Sequence, residues 1–84
     1  MKYVRQLNGQ IRATEGFTLH DGRVIGQGTL GGWVESSRSL SQAGKCWVFP
    51  GAEIKDDAYV SGNAVIESGS LISDSAKIYG NAII

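Results

Sequence analysis

One proline, one cysteine and one histidine are all that 84 residues hold of these types, and each scarcity excludes something. A lone Cys46 can form no internal disulfide and supplies no cysteine-based zinc site. It points to a reducing, cytoplasmic setting. A lone His20 cannot make a three-imidazole zinc centre, so no metal or cofactor is expected. Neither sign of charge prevails: 8 Lys and Arg balance 8 Asp and Glu, and the formal net charge is zero. That balance argues against holding nucleic acid by bulk electrostatics. No run is apolar enough for a membrane span, and the first residues do not read as a signal peptide. Helix-length windows free of glycine with caps are also missing. The chain therefore reads as nearly all β and turn. A chain of this length buries only about 60–65% of its unfolded surface, so self-association is an expected source of stability.

What is abundant is glycine, with 12 residues, and a repeat. From Gly51 onward the chain divides into hexads: GAEIKD, DAYVSG, NAVIES, GSLISD, SAKIYG and a truncated NAII. The second position reads Ala52, Ala58, Ala64, Ser70, Ala76, Ala82, and the fourth Ile54, Val60, Ile66, Ile72, Ile78, Ile84. The register extends back through Cys46 and Val48 and, more weakly, to Leu40 and Val34. Positions two apart on a strand share a face, so the small and the β-branched residue both point inward. β-Branched side chains suit a pleated surface. Turn formers such as Pro50-Gly51, Asp56-Asp57, Gly62-Asn63 and Gly80-Asn81 fill the gaps. Each hexad is thus one short strand plus one corner, and three would make an 18-residue coil. Coils would stack at about 4.8 Å.

The repeat resembles the hexapeptide-repeat family, whose members form left-handed parallel β-helices. The segment Leu30-Gly31-Gly32-Trp33-Val34-Glu35-Ser36, with Leu40-Ser41 and Gly44-Lys45-Cys46-Trp47-Val48, is similar to small phage and prophage proteins with a Leu-Gly-Gly-Trp leader. Those are often labelled transferases on fold grounds alone. The similarity covers about residues 23–84 and departs at Thr29, where the pattern has an acidic residue. The expected fold is all-β: a short left-handed parallel β-helix of about 2.5–3 coils, spanning 32–84, behind an N-terminal β-hairpin cap spanning 1–31. In the cap, Tyr3-Val4-Arg5, Ile11-Arg12-Ala13 and Phe17-Thr18-Leu19 alternate like strands. Asn8-Gly9 and Asp21-Gly22 read as two-residue hairpin turns.

Outward positions carry function in such an architecture. With an 18-residue coil, Trp47, Val65 and Ile83 fall in one column, flanked by Phe49. A large apolar column is rarely left bare. It is read as an oligomer interface of Trp47, Phe49, Val65, Ile83 and Ile84; the alternative is that the N-terminal segment folds back over it. The resemblance implies a homo-oligomer, a trimer ahead of a dimer. Trp33, Arg38, Lys45, Tyr59, Lys77 and Tyr79 are candidate ligand-binding residues, because aromatic stacking plus Arg or Lys holds planar anions.

No catalytic residue is assigned. The family's acyltransferases use a histidine as general base, but His20 stands beside a turn, outside the repeat. Cys46 occupies an inward small position and reads as core. Asp56, Asp57 and Asp74 could face a cation, although turn chemistry accounts for them. The glycines from Gly26 to Gly32 precede no helix and make no phosphate loop. The expected function is a non-enzymatic, homo-oligomeric binding protein of phage type in the cytoplasm of a bacterial host. It would act against host defence by sequestering a small nucleotide-like signal or blocking a host protein. The alternatives are a self-assembling segment of a virion or fibre, and an acyltransferase-like enzyme on fold resemblance alone.

Overall fold

The computed structural model describes all residues, Met1–Ile84. It contains eleven strands and no helix: β1 (Tyr3–Arg5), β2 (Gln10–Ala13), β3 (Phe17–Thr18), β4 (Val24–Ile25), β5 (Leu30–Val34), β6 (Trp47–Val48), β7 (Glu53–Ile54), β8 (Tyr59–Val60), β9 (Val65–Ile66), β10 (Leu71–Ile72) and β11 (Lys77–Ile78).

These strands do not form the expected regular left-handed parallel β-helix. They are divided among four separate sheets, none of them closed or continued into a solenoid. The largest is a five-stranded mixed sheet in the order β1-β2-β5-β7-β10. Its β1/β2 and β2/β5 pairs are antiparallel, while β5/β7 and β7/β10 are parallel. Three two-stranded sheets complete the molecule: β8/β11 and β6/β9, both parallel, and β3/β4, antiparallel. Two physical causes separate this from the expectation. Each hexad gives only two residues to a strand, so the corners interrupt every ladder. The N-terminal β1/β2 hairpin also joins the principal sheet through β5, which makes that sheet mixed.

Local pairing within the repeat does follow the small/β-branched rhythm. Trp47 pairs with Val65, Glu53 with Leu71 and Tyr59 with Lys77. The linking bonds repeat, as in Glu53 N to Ser70 O at 3.0 Å, Tyr59 N to Ala76 O at 2.9 Å and Val65 N to Ala82 O at 2.8 Å. The inward set is fully buried through Ile54, Val60 and Ile66. Burial then declines along the repeat, with Ile78 half-buried and Ile84 exposed.

The corners are set by left-handed backbone. Gly44, Gly62 and Gly80 have φ of 69°, 66° and 66°, and Asp56 and Asp74 take φ of 57° and 59°. Aspartate is among the few residues other than glycine that adopt this conformation. The two aspartate corners are also tied to each other, Asp56 Oδ2 accepting from Asp74 N at 3.1 Å, 18 residues on.

The Gly31-Gly32 pair has a steric reason. Between the Gln10↔Trp33 and Arg12↔Leu30 pairs the register shifts, which is a β-bulge in β5. A Cβ on Gly32 would lie 2.6 Å from both Ala52 O and Phe49 O, and one on Gly31 would lie 2.7 Å from Val48 O. Only glycine fits where the antiparallel hairpin meets the parallel strands.

The two Asx-Gly turns lie in antiparallel hairpins, but not as two-residue loops. Gly9 N donates to Gln6 O at 2.9 Å, and Gln6 N to Gln10 O at 2.9 Å. Gly22 N likewise donates to Leu19 O at 2.9 Å, and Leu19 N to Arg23 O at 2.7 Å. Only the glycines have positive φ, 89° at Gly9 and 95° at Gly22. This is the three-residue hairpin ending in a left-handed bulge glycine. A single core of 18 buried residues runs from Tyr3 to Ile72.

Candidate functional site

The apolar column is covered from within. Trp47 and Val65 are fully buried. Phe17, on β3, sets its ring edge-on to Trp47 with centroids 5.5 Å apart. Arg23, just before β4, lies over the half-buried Phe49 at 4.6 Å. It also pairs with Glu67 at 2.9 Å and Asp21 at 2.7 Å. Those two carboxylates, Glu67 foremost, raise the Arg23 pKa, and Arg23 in turn holds the Asp21 carboxyl below its usual range. The β3/β4 hairpin thus folds back over Trp47 with a ring and over part of Phe49 with a cation, while Val65 is buried between its pairing neighbours Trp47 and Ile83. Ile83 and Ile84 stay exposed, at 50% and 44%. The buried Trp47 indole N–H has no acceptor.

The six candidate ligand residues do not converge. Trp33 lies on β5 in the five-stranded sheet, half-buried, its Nε1 donating to Asn8 O at 2.9 Å. It lines a hollow of about 340 Å³ with Asn8, Gln10, Gly51 and Glu53, the last its only charged wall. Arg38 lines a second hollow of about 340 Å³ with Glu35, Asp56 and Asp57, where acids outnumber the base. Neither lining suits an anion. Tyr59 and Lys77 are paired on β8 and β11, with exposed Tyr79 two residues beyond Lys77. Lys45 is exposed at a corner, its N–H donating to Asn63 Oδ1 at 3.2 Å. His20 is exposed in the loop between β3 and β4. Asp56, Asp57 and Asp74 are exposed and bring no metal-binding group of three together.

The polar cluster that sequence reasoning missed is at Lys2, Tyr3, Gln42 and Cys46. Gln42 Oε1 accepts from Lys2 N at 2.8 Å and Tyr3 N at 3.1 Å, while its Nε2 donates to Tyr3 O at 2.9 Å. The amide acts as a one-residue strand beside β1. Tyr3 is fully buried, and its hydroxyl donates to Leu40 O and lies 3.1 Å from Ser37 O. Burial pushes its pKa up to about 12, with smaller contributions from Cys46 and Tyr59. Lys2 Nζ donates to Cys46 O at 2.7 Å and lies 3.2 Å from Cys46 Sγ. Burial lowers its pKa, partly offset by Cys46. Lys2 and Gln42 occupy no motif and no repeat position, so their meeting had no signal in the sequence.

Fold and site together define a small all-β protein with one buried core and three surface hollows, two with acidic linings and a third whose only charged residue is Arg12. Comparison with family models, with curated proteins and with solved structures finds no match. No helix is long and apolar enough to cross a membrane.

Proposed function

We propose that this chain is a non-enzymatic, homo-oligomeric binding protein of phage or prophage type that acts against a host defence system through its surfaces. The observation that carries the reading is an apolar edge. Leu71, Tyr79, Ile83 and Ile84 are exposed at 57%, 72%, 50% and 44%, beside β10 and β11, which have a strand partner on one side only. Open strand edges flanked by exposed apolar side chains are a template for pairing with another chain, and here the one charge on the two strands is the exposed Lys77 of β11. The surface is suited to a second copy or to a host protein, a trimer being the oligomer that the repeat's resemblance favours. Blocking a host protein fits better than sequestering a nucleotide-like signal. The hollows at Trp33 and Arg38 carry more acid than base, and the basic candidates stand apart. The phage attribution rests on the likeness of Leu30-Gly31-Gly32-Trp33. The enzyme alternative lacks a placed base, since His20 lies in an exposed loop.

Light scattering on the full chain tests the edge. The wild type is expected to associate, and Leu71→Asp with Ile83→Asp to give a folded monomer. A monomeric wild type would end this reading. The structural alternative rests on the same edge pairing without closure, and a ladder of sizes would favour it.

A further inference from the structure

Lys2 and Cys46 meet in the interior with no acid between them. Lys2 is 4% exposed and Cys46 fully buried. The ammonium is surrounded by Cys46 O at 2.7 Å, Gly44 O at 3.4 Å, Cys46 Sγ at 3.2 Å and the Phe17 ring at 5.4 Å. Both ion pairs in the molecule belong to Arg23, so no carboxylate balances Lys2. Lysines are rarely buried unless paired. The other polar atoms near Sγ are carbonyl oxygens, those of Ser41 at 3.4 Å, Ala43 at 3.8 Å and Val60 at 4.0 Å. The chain has no second thiol to resolve an oxidised sulfur. The Lys2 amine is therefore the nucleophile placed against it.

We propose that Lys2 and Cys46 form an oxidative modification site, in which oxidation of the thiol by a peroxide is captured by the lysine amine as a covalent sulfur–nitrogen cross-link. In the first step Sγ attacks a peroxide oxygen, the O–O bond breaks, and Cys46 becomes a sulfenic acid with release of water. In the second the lone pair of the neutral amine forms the N–S bond. The S–O bond breaks, and hydroxide leaves with the amine's proton as a second water. One thiol, one amine and one hydrogen peroxide thus give the cross-link and two waters. Sulfur loses two electrons and the peroxide gains them. A sulfenic acid condenses with a nearby nitrogen in this way when no thiol competes. Two equivalents of an external thiol reverse it, leaving as a disulfide. Lys2 lies outside β1, and residues at the margin of paired structure open locally at low free energy. Opening admits the peroxide, and closing returns the amine to the sulfur. The bond joins positions 44 residues apart and anchors the segment that carries Phe17 onto Trp47.

The test is peroxide treatment of the reduced full chain, followed by high-resolution mass and peptide mapping. The expected product is lighter by two hydrogens, about 2 Da, with the peptides of Lys2 and Cys46 joined and released by dithiothreitol. Cys46→Ser gives no product, and Lys2→Arg, which keeps the cation but not the nucleophile, stops at oxygenated Cys46. Gain of about 16 or 32 Da on Cys46 with Lys2 free in the wild type would overturn the proposal. So would an unchanged mass. The wild-type map decides even if a variant fails to fold.

Discussion

The Trp33 indole lies directly over Gly9, donating Nε1–H to the Asn8 carbonyl at 2.9 Å, and a Cβ on Gly9 would collide with the ring. Gly9 also holds φ at 89°. The bulge glycine of one hairpin is thus fitted to the aromatic residue of the Leu-Gly-Gly-Trp segment. Gly9→Ala must displace the ring as well as strain the turn, and should cost about 3 kcal/mol. Gly22, in the matching turn, has φ of 95° but nothing near a Cβ. Gly22→Ala should cost only the left-handed strain, about 1 kcal/mol. Urea unfolding of the two variants measures the difference, and equal losses would contradict the packing.

Tyr3 makes the fold sensitive to alkali. Its hydroxyl ionises near 10 in an unfolded chain and at about 12 in the folded one. A raised phenol pKa means the folded state keeps a proton that the unfolded state has lost. Stability from this group is therefore full below pH 10 and is lost as pH rises toward 12. The size is on the order of 1–3 kcal/mol. Lys2, with its pKa lowered, acts oppositely and only up to its ordinary range. Tyrosine absorbance should show one phenol ionising late, together with loss of structure. In Tyr3→Phe that late step should vanish.

Gln42 replaces a missing strand beside β1. Gln42→Ala removes the partners of Lys2 N, Tyr3 N and Tyr3 O together. A loss of about 1–2 kcal/mol is expected, because the groups regain only part of their bonding from water. Hydrogen exchange at the Tyr3 amide should accelerate while that of Val60 does not.

Burial declines along the repeat, and stability effects should decline with it. Ile66 is fully buried, so Ile66→Ala should cost about 3 kcal/mol. Ile78 is half-buried at the open edge, and Ile78→Ala should cost less than half as much at low protein concentration. The gap should narrow at high concentration if a second copy covers β11.

The two-residue spacing of small and β-branched residues was legible because it follows from strand geometry, and Ala52, Ile54, Ala58, Val60, Ala64 and Ile66 are all buried. The pairing of Trp47 with Val65 followed from the same rhythm. What misled was extending a local rhythm to a whole architecture. Nothing in the hexads shows that β5 takes an antiparallel partner, β2, on its other side, because that choice depends on contacts distant in sequence. Trp47 and Phe49 looked free for the same reason: Phe17, which covers the first, and Arg23, which lies over the second, come from a hairpin with no repeat of its own. The Lys2–Cys46 contact joins two residues that no local pattern connects.

The most direct test of the proposed function is a native mass spectrum of the protein purified from cells. The account predicts one defined oligomer, a trimer ahead of a dimer, that keeps its apolar edge covered and captures a host protein. A bare monomer that carries neither a second copy nor any partner would contradict it.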